Sequence, residues 1–437
     1  MIPNREGGRS SAPGGPTSRL ARAPARPSRT WLALLGVFWT TSMVEALGIS
    51  QVFAFLPKYL LDMGVPEGDR LAFVGVFSSL IFVVGAPLVP LWGVWADKYS
   101  RKAVIVRSAV VEAVVFSAVA LSREPWQVAL SMLLIGLQLG NTGVMLAGIR
   151  DVTPNRYLGR AIALFGASGP IGFAVGPTLG GIIVDRLGLG LPAMFAVSAG
   201  LSIGTALLVA FGTAEVRPEV VPEGPVLKLA FGAIRGVLTD PATVRIFAIF
   251  GTSFLANQMA RPYLPVLVEQ TEGAGVGLAS RIALVTGTAA LAGALVSPLG
   301  GWLGDRIGFR PVLAGALLGG AVALALMPAA TSVIALAGAS LAFAAMNAAV
   351  SAMVFGVVAT EVPAERRSAT LNLVYLPLYA AGVIGPTAGA LVVAAVGVSG
   401  PFVVAAAVFV VGAVVVALAR GTAAERQAGR SRSSGPE

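Results

Sequence analysis

The 437-residue chain has no cysteine and no histidine, and only 12% of its residues are charged. The missing cysteine excludes disulfides, thiol catalysis and thiolate metal sites. The missing histidine removes the usual side chain that titrates near neutral pH, which leaves carboxylates, tyrosine and water to move any proton. Soluble domains carry about 25% charged residues, twice the share found here. What the chain has instead is apolar residues, 56% of the total with a mean hydropathy of +0.83. They fall in runs of about 18 or more rather than in amphipathic stripes, so a bilayer is the main solvent.

Apolar segments of membrane-spanning length lie near 31 to 60, 71 to 92, 103 to 122, 127 to 149, 159 to 184 and 192 to 213. A second six lie near 242 to 268, 281 to 302, 311 to 329, 332 to 358, 368 to 394 and 400 to 419. The expected fold is therefore an all-α polytopic membrane protein with 12 transmembrane helices in two six-helix bundles, 31–213 and 242–419. Residues 1–30, rich in Gly, Pro, Ser and Arg without an apolar core, read as a disordered basic cytoplasmic tail rather than a cleaved signal. Residues 214–241 form a proline-rich linker followed by a short interfacial helix, and 420–437 a second tail. Of the 31 Lys and Arg residues, 25 fall with the tails and the even-to-odd loops. The positive-inside rule then places both termini in the cytoplasm of a multi-pass plasma-membrane protein. The net charge of +10 is spread over these loops, so it gives no sign of a nucleic-acid partner.

The two halves repeat. Pro57 and Pro265, Gly93 and Gly301, and Asp97 and Asp305 are 208 residues apart; Pro154 and Pro363, Gly176 and Gly385, and Pro177 and Pro386 are 209 apart. Two halves repeated in one orientation suit a transporter with a central site between them.

The string Gly93-Val-Trp-Ala-Asp97-Lys98-Tyr-Ser-Arg101-Lys102 resembles the signature loop between spans two and three of the major facilitator superfamily. A degenerate copy, Gly301-Trp-Leu-Gly-Asp305-Arg306-Ile-Gly-Phe-Arg310, follows span eight. The resemblance implies a gate: glycine allows close helix packing, and an acid beside a basic cluster makes a charge-dependent latch across the cytoplasmic seam. In span five, Gly172-Phe-Ala-Val-Gly176-Pro177-Thr-Leu-Gly180-Gly181 resembles the motif of the drug/proton antiporter branch. Small residues four apart admit another helix backbone, and Pro177 removes one helix hydrogen bond. Plain helix packing is the alternative meaning. The arginine that the resemblance leads one to expect in span four is absent, that stretch being Leu134-Ile-Gly-Leu-Gln138-Leu-Gly140.

Two carboxylates lie within spans, Glu45 and Glu112. Glu45, mid-span in helix one, is the candidate for taking up and releasing a coupling proton or for pairing with a cationic substrate. Glu112 suits a structural polar contact; Arg107, five residues earlier, lies about 140° away around a helix. Gln138, Asn141, Asn257, Gln258 and Asn347 fall on spans expected to line the cavity, and Asn372, Tyr375 and Tyr379 share one helix face. These groups either contact substrate or bond helix to helix. Arg261 is expected to be an entrance or snorkelling charge. There is no metal cluster, nucleophile triad or phosphate loop, so no enzyme, cofactor or resident metal is expected. The expected function is proton-coupled efflux of a small amphipathic molecule by alternating access, from a monomer whose partners are substrate, protons and lipid. A nutrient importer of the same fold is the alternative, and a transport-inactive receptor or scaffold is an alternative of another class.

Overall fold

A computed structural model of the chain describes residues 30–218, 221–239, 241–273, 275–361 and 376–433. Nearly all of it is helix, as lipid demands: within hydrocarbon every backbone N–H and C=O must be satisfied inside its own segment. The first six spans are α1 (Thr30–Asp62), α2 (Glu67–Lys98), α3 (Arg101–Leu121), α4 (Pro125–Ile135 and Asn141–Val152, joined by the 3-10 turn Gly136–Gln138), α5 (Asn155–Gly181, continued by a π turn Ile182–Arg186) and α6 (Gly190–Gly212). A linker helix, Val226–Leu238, follows. The second six are α7 (Pro241–Ala260 and Leu264–Glu272 around the 3-10 turn Arg261–Tyr263), α8 (Leu278–Ile307), α9 (Phe309–Leu326), α10 (Val333–Glu361), α11 (Leu376–Val396) and α12 (Gly400–Ser433). Among the described residues 11 helices are long and apolar enough to cross a membrane, and the interrupted α7 completes the 12. The last helix runs beyond the expected end of span twelve, to Ser433.

Local chemistry sets the helix ends. Ser100 caps α3 by accepting from Ala103 N at 2.9 Å, and Gln127 reaches back to accept from Glu124 N at the start of α4. The sequence repeat is also a packing repeat. In the first half, Gly172 and Gly176 of α5 lie so close to α1 that a Cβ would strike the backbone of Met43 and Leu47. In the second, Gly385 and Gly389 of α11 press in the same way on Leu255 and Met259 of α7. Without a hydrophobic force between helices in lipid, such close approach and polar bonds hold them together. Gln51 Nε2 donates to Gly176 O (3.1 Å), and Ser198 Oγ donates to Gln51 Oε1 (2.5 Å), tying α5 and α6 to α1.

The bundles meet along α2 against α11 and α5 against α8. Their polar contacts lie in mid-membrane or at the face opposite the termini. Arg70 donates twice to the Glu269 carboxylate, at 2.8 and 3.0 Å, in a buried bidentate pair. Tyr263 OH donates to Leu71 O (3.3 Å), and Asp185 at the end of α5 accepts from Ser280 N in the first turn of α8 (2.6 Å). Ser79 and Thr387 hydroxyls bond deeper in (2.7 Å). These bonds lie away from the face that carries the termini. A Cβ on Gly93 or Gly301 would meet open space, which corrects the expectation of close packing there. Neither glycine is pressed against another helix among the described residues.

Candidate functional site

The site is built around a break in α4. Gly140 adopts φ +100°, a left-handed conformation that favours glycine, and so ends the first half-helix and lets Asn141 start the second. Glu45 of α1 is 8% exposed, and Asn141 Nδ2 donates to its Oε1. At the other half-helix end, Arg107 of α3 donates to the carbonyls of Gln138 (3.3 Å) and Leu139 (3.1 Å). Its guanidinium lies 3.7 Å from the centre of the Trp92 ring, and Ser108 Oγ also donates to Gln138 O (2.7 Å). The break thus sorts charge. A cation meets the carbonyl end of one half-helix, and an acid meets the amide end of the next, each the favourable partner for that end of a helix dipole. Glu45 and Arg107 also interact electrostatically. The basic group missing from the sequence of span four is supplied to that span by α3.

Glu112 is fully buried beside Gly48 of α1, where only a glycine leaves room for it and for Phe116. Neither of its oxygens has a hydrogen-bond partner of normal geometry. Ser202 faces it, yet donates to Ser198 O at 3.0 Å. It interacts with Glu45 and makes no ion pair with Arg107, which turns the other way toward α4.

The remaining candidates divide between the bundles. Gln138 is buried at the α4 break with its Oε1 unpaired. In the second half Ser253 occupies the position of Glu45, and its Oγ bonds to Asn347 Oδ1 at 3.2 Å. A neutral pair therefore stands where the first half has Glu45 and Gln138, since Asn347 follows Gln138 by the repeat distance of 209 residues. Gln258 is buried against Gly385 with its Nε2 unpaired. Asn257 and Tyr379 are half-buried, Tyr379 packing against the core. Asn372 and Tyr375 lie outside the described residues.

The signature loop is tied down inside its own half. Arg101 binds Asp97 (2.8 Å) and Asp151 after α4 (2.6 Å). Glu215 of the linker accepts from Ser100 Oγ (2.5 Å) and Arg101 N (2.9 Å), so Ser100, which stands where glycine is usual in such loops, has a bond of its own. Lys102 Nζ donates to Thr213 O (2.8 Å) and Lys98 Nζ to Gly224 O (2.6 Å). A latch across the seam is therefore not formed here, because these charges are satisfied by the first bundle and the linker. In the degenerate copy Asp305 and Arg306 are exposed, with Arg306 stacked on Trp302 at 4.2 Å; Arg310 is half-buried. In the span-five motif, Gly172, Gly176 and Gly180 face α1, Pro177 lies inside the helix, and Gly181 faces Ser280 and Ala283 of α8 across the bundle interface.

Arg261, expected to be an entrance or snorkelling charge, reaches from α7 into the first bundle, 4.0 Å from the Phe53 ring centre and 4.7 Å from that of Phe173. A surface groove of about 400 Å³ between α3 and α6 is lined almost wholly by apolar side chains. It has none of the convergent polar groups of a transport site.

The chain belongs to the Major Facilitator Superfamily, whose sequence profile matches residues 38–280 and 254–436. It is 31% identical over 303 residues to the multidrug resistance protein MdtG of Citrobacter koseri, an alignment covering 68% of this chain and 72% of that one. Identity to the MdtG of Proteus mirabilis is 25% over 290 residues, covering 65% and 70%. Among solved structures, a bacterial homologue of the human lysosomal transporter Spinster, inward-facing and occupied, superposes with a TM-score of 0.74 at 15% identity, covering 91% of this chain and 98% of that one. The protein is thus a multi-pass membrane transporter of the major facilitator type.

Proposed function

We propose that this protein exports small amphipathic molecules across the plasma membrane in exchange for protons, by alternating access between its two bundles. The observation that carries this reading is Glu45: an acid within an apolar span, held by Asn141 at a helix break and flanked by Arg107. An intramembrane carboxylate is costly and marks an ion or proton path. In this reading Glu45 takes a proton from the outer side and releases it inward, and Asn141 follows its charge state because the amide donates to the carboxylate. The names of the MdtG relatives support drug efflux as the direction. The positive-inside bias places both termini in the cytoplasm, so the face closed by Arg70 and Glu269 is the outer one and the conformation is inward-facing.

The test is counterflow and net flux in oriented proteoliposomes, with and without a pH gradient. Export that rises with inward proton flow and loses that dependence in Glu45→Gln is expected. Uptake driven by the substrate's own gradient would instead favour an importer, and binding without flux a receptor.

A further inference from the structure

Among the described residues, Arg261 differs from the other arginines that reach into the protein. Arg70 is paired with Glu269, Arg101 with Asp97 and Asp151, and Arg107 with two backbone carbonyls. Arg261 has neither a carboxylate nor a carbonyl at hydrogen-bonding distance among the described residues, and it is held only by the faces of Phe53 and Phe173. A ring face offsets only part of what a cation loses on leaving water. The residue as a whole is only partly buried, while its charged end lies among protein groups. One turn earlier on the same face of α7, Gln258 is 3% exposed and its Nε2 is a second donor without an acceptor. Arg70, Arg101 and Arg107 each keep at least one oxygen partner, which sets Arg261 apart from them.

The position suits a transport site. Arg261 begins the 3-10 turn of α7, just beneath the Tyr263–Leu71 and Arg70–Glu269 contacts that close the outer face. It belongs to the second bundle, while both rings belong to the first, on α1 and α5. A ligand bound there touches both bundles at the seam that must open. Phe53 is eight residues beyond Glu45 along α1, about 12 Å of helix rise, so the cation and the acid sit at separate levels.

We propose that Arg261 is the subsite for an anionic oxygen group of the transported molecule, a carboxylate, sulfonate or phosphonate whose planar apolar body stacks between Phe53 and Phe173. The proposal rests on the transport reading above and narrows its substrate class. A guanidinium suits such a group because its planar fork donates two parallel bonds to an oxyanion.

The test is calorimetric titration of the purified full chain in a nonionic micelle with 2-naphthoate and, separately, 2-naphthylmethylammonium. Arg261→Gln is expected to weaken naphthoate binding about tenfold or more, the loss expected of a charge-assisted pair, and to leave the ammonium probe within about twofold. Arg261→Lys, which keeps charge and bulk, gives an intermediate value and serves if the glutamine variant fails to elute as a single species. The proposal is overturned if the wild type does not bind naphthoate, if either variant binds it as tightly as the wild type, or if both probes weaken alike, which would make Arg261 a packing strut. A phosphatidylglycerol titration separates sources of anion: Arg261-dependent lipid binding that displaces naphthoate assigns the subsite to a lipid phosphate and also overturns it. Binding in micelles needs no gradient. Failure of proton-driven export in vesicles is therefore read independently of this result.

Discussion

The two six-helix bundles share a fold and a packing scheme but not a chemistry. In each, a glycine-rich helix presses on the first helix of its half, α5 on α1 and α11 on α7. The first bundle then places Glu45, Asn141, Arg107 and Glu112 around a broken α4, where the second has Ser253 bonded to Asn347. The basic loop after α2 is held by two ion pairs and a linker carboxylate, whereas Asp305 and Arg306 of its counterpart are exposed. Duplication thus preserved the close helix contacts, which depend on backbone shape, and let the ionisable groups collect in one copy.

The sharpest way to break this comparison is to remove the acid from one bundle and the hydroxyl from the other. Glu45→Gln is expected to abolish gradient-driven accumulation, a loss of about a hundredfold or more if the acid is the proton carrier, while Ser253→Ala lowers flux by about twofold or less, within the usual worth of one neutral hydrogen bond. Equal losses in vesicle assays would end the claim that coupling is confined to the first bundle. Next in size is the bond between the halves. Glu269→Gln leaves Arg70 buried without its counter-charge, at a cost of about 3–5 kcal/mol to the conformation closed on that face. Because the chain has no cysteine of its own, a single cysteine in place of Ser79, a buried residue of similar size that faces Thr387 across the seam, reports the change: its thiol is expected to label faster in the Glu269 variant, and an unchanged rate would show that the pair does not hold the seam.

Arg107→Gln strips a charged donor from the carbonyls at the α4 break and is expected to destabilise the protein by about 1.5–3 kcal/mol. A thermal unfolding midpoint unmoved from the wild type would show that the break holds without the cation. The smallest effect is expected at the linker. Glu215→Ala removes an acceptor from the first turn of α3, worth about 1 kcal/mol, and the fluorescence-detected melting curve should shift by a few degrees or less.

The span count and the repeat were legible because a bilayer fixes segment length and a duplicated fold fixes spacing; each is a pattern many residues long. The centre of the site was legible only in part. Glu45 stands out as an acid in an apolar span, and Asn141 as an amide on a neighbouring one, but their bond depends on the break at Gly140, which in sequence is one glycine among 54. Helical geometry correctly separates Arg107 from Glu112. It gives no hint that Arg107 binds backbone carbonyls instead, since a carbonyl has no letter in the sequence. The neighbours of Arg261 are hidden for a related reason: only the tertiary arrangement brings Phe53 and Phe173 beside it. The partners of the signature loop, Asp151 and Glu215, lie far from it in the chain, so the motif alone could not name them.

The linker bears on how far the halves are free to move. Glu215 and Gly224 are bonded to the start of α3 and the end of α2. The linker helix beyond them lies on α2, with Val226 and Leu227 beside Leu88, Leu91, Trp92 and Trp95. What looks in sequence like a rope of nearly 30 residues is, at Glu215, at Gly224 and along Val226–Leu238, upholstery on the first bundle, and the passage to the second begins only after Leu238. The two halves are then joined as by a door hinge set at one corner. Lengthening the chain before Gly224 should leave the swing unaltered, and lengthening it after Leu238 should let the door hang loose.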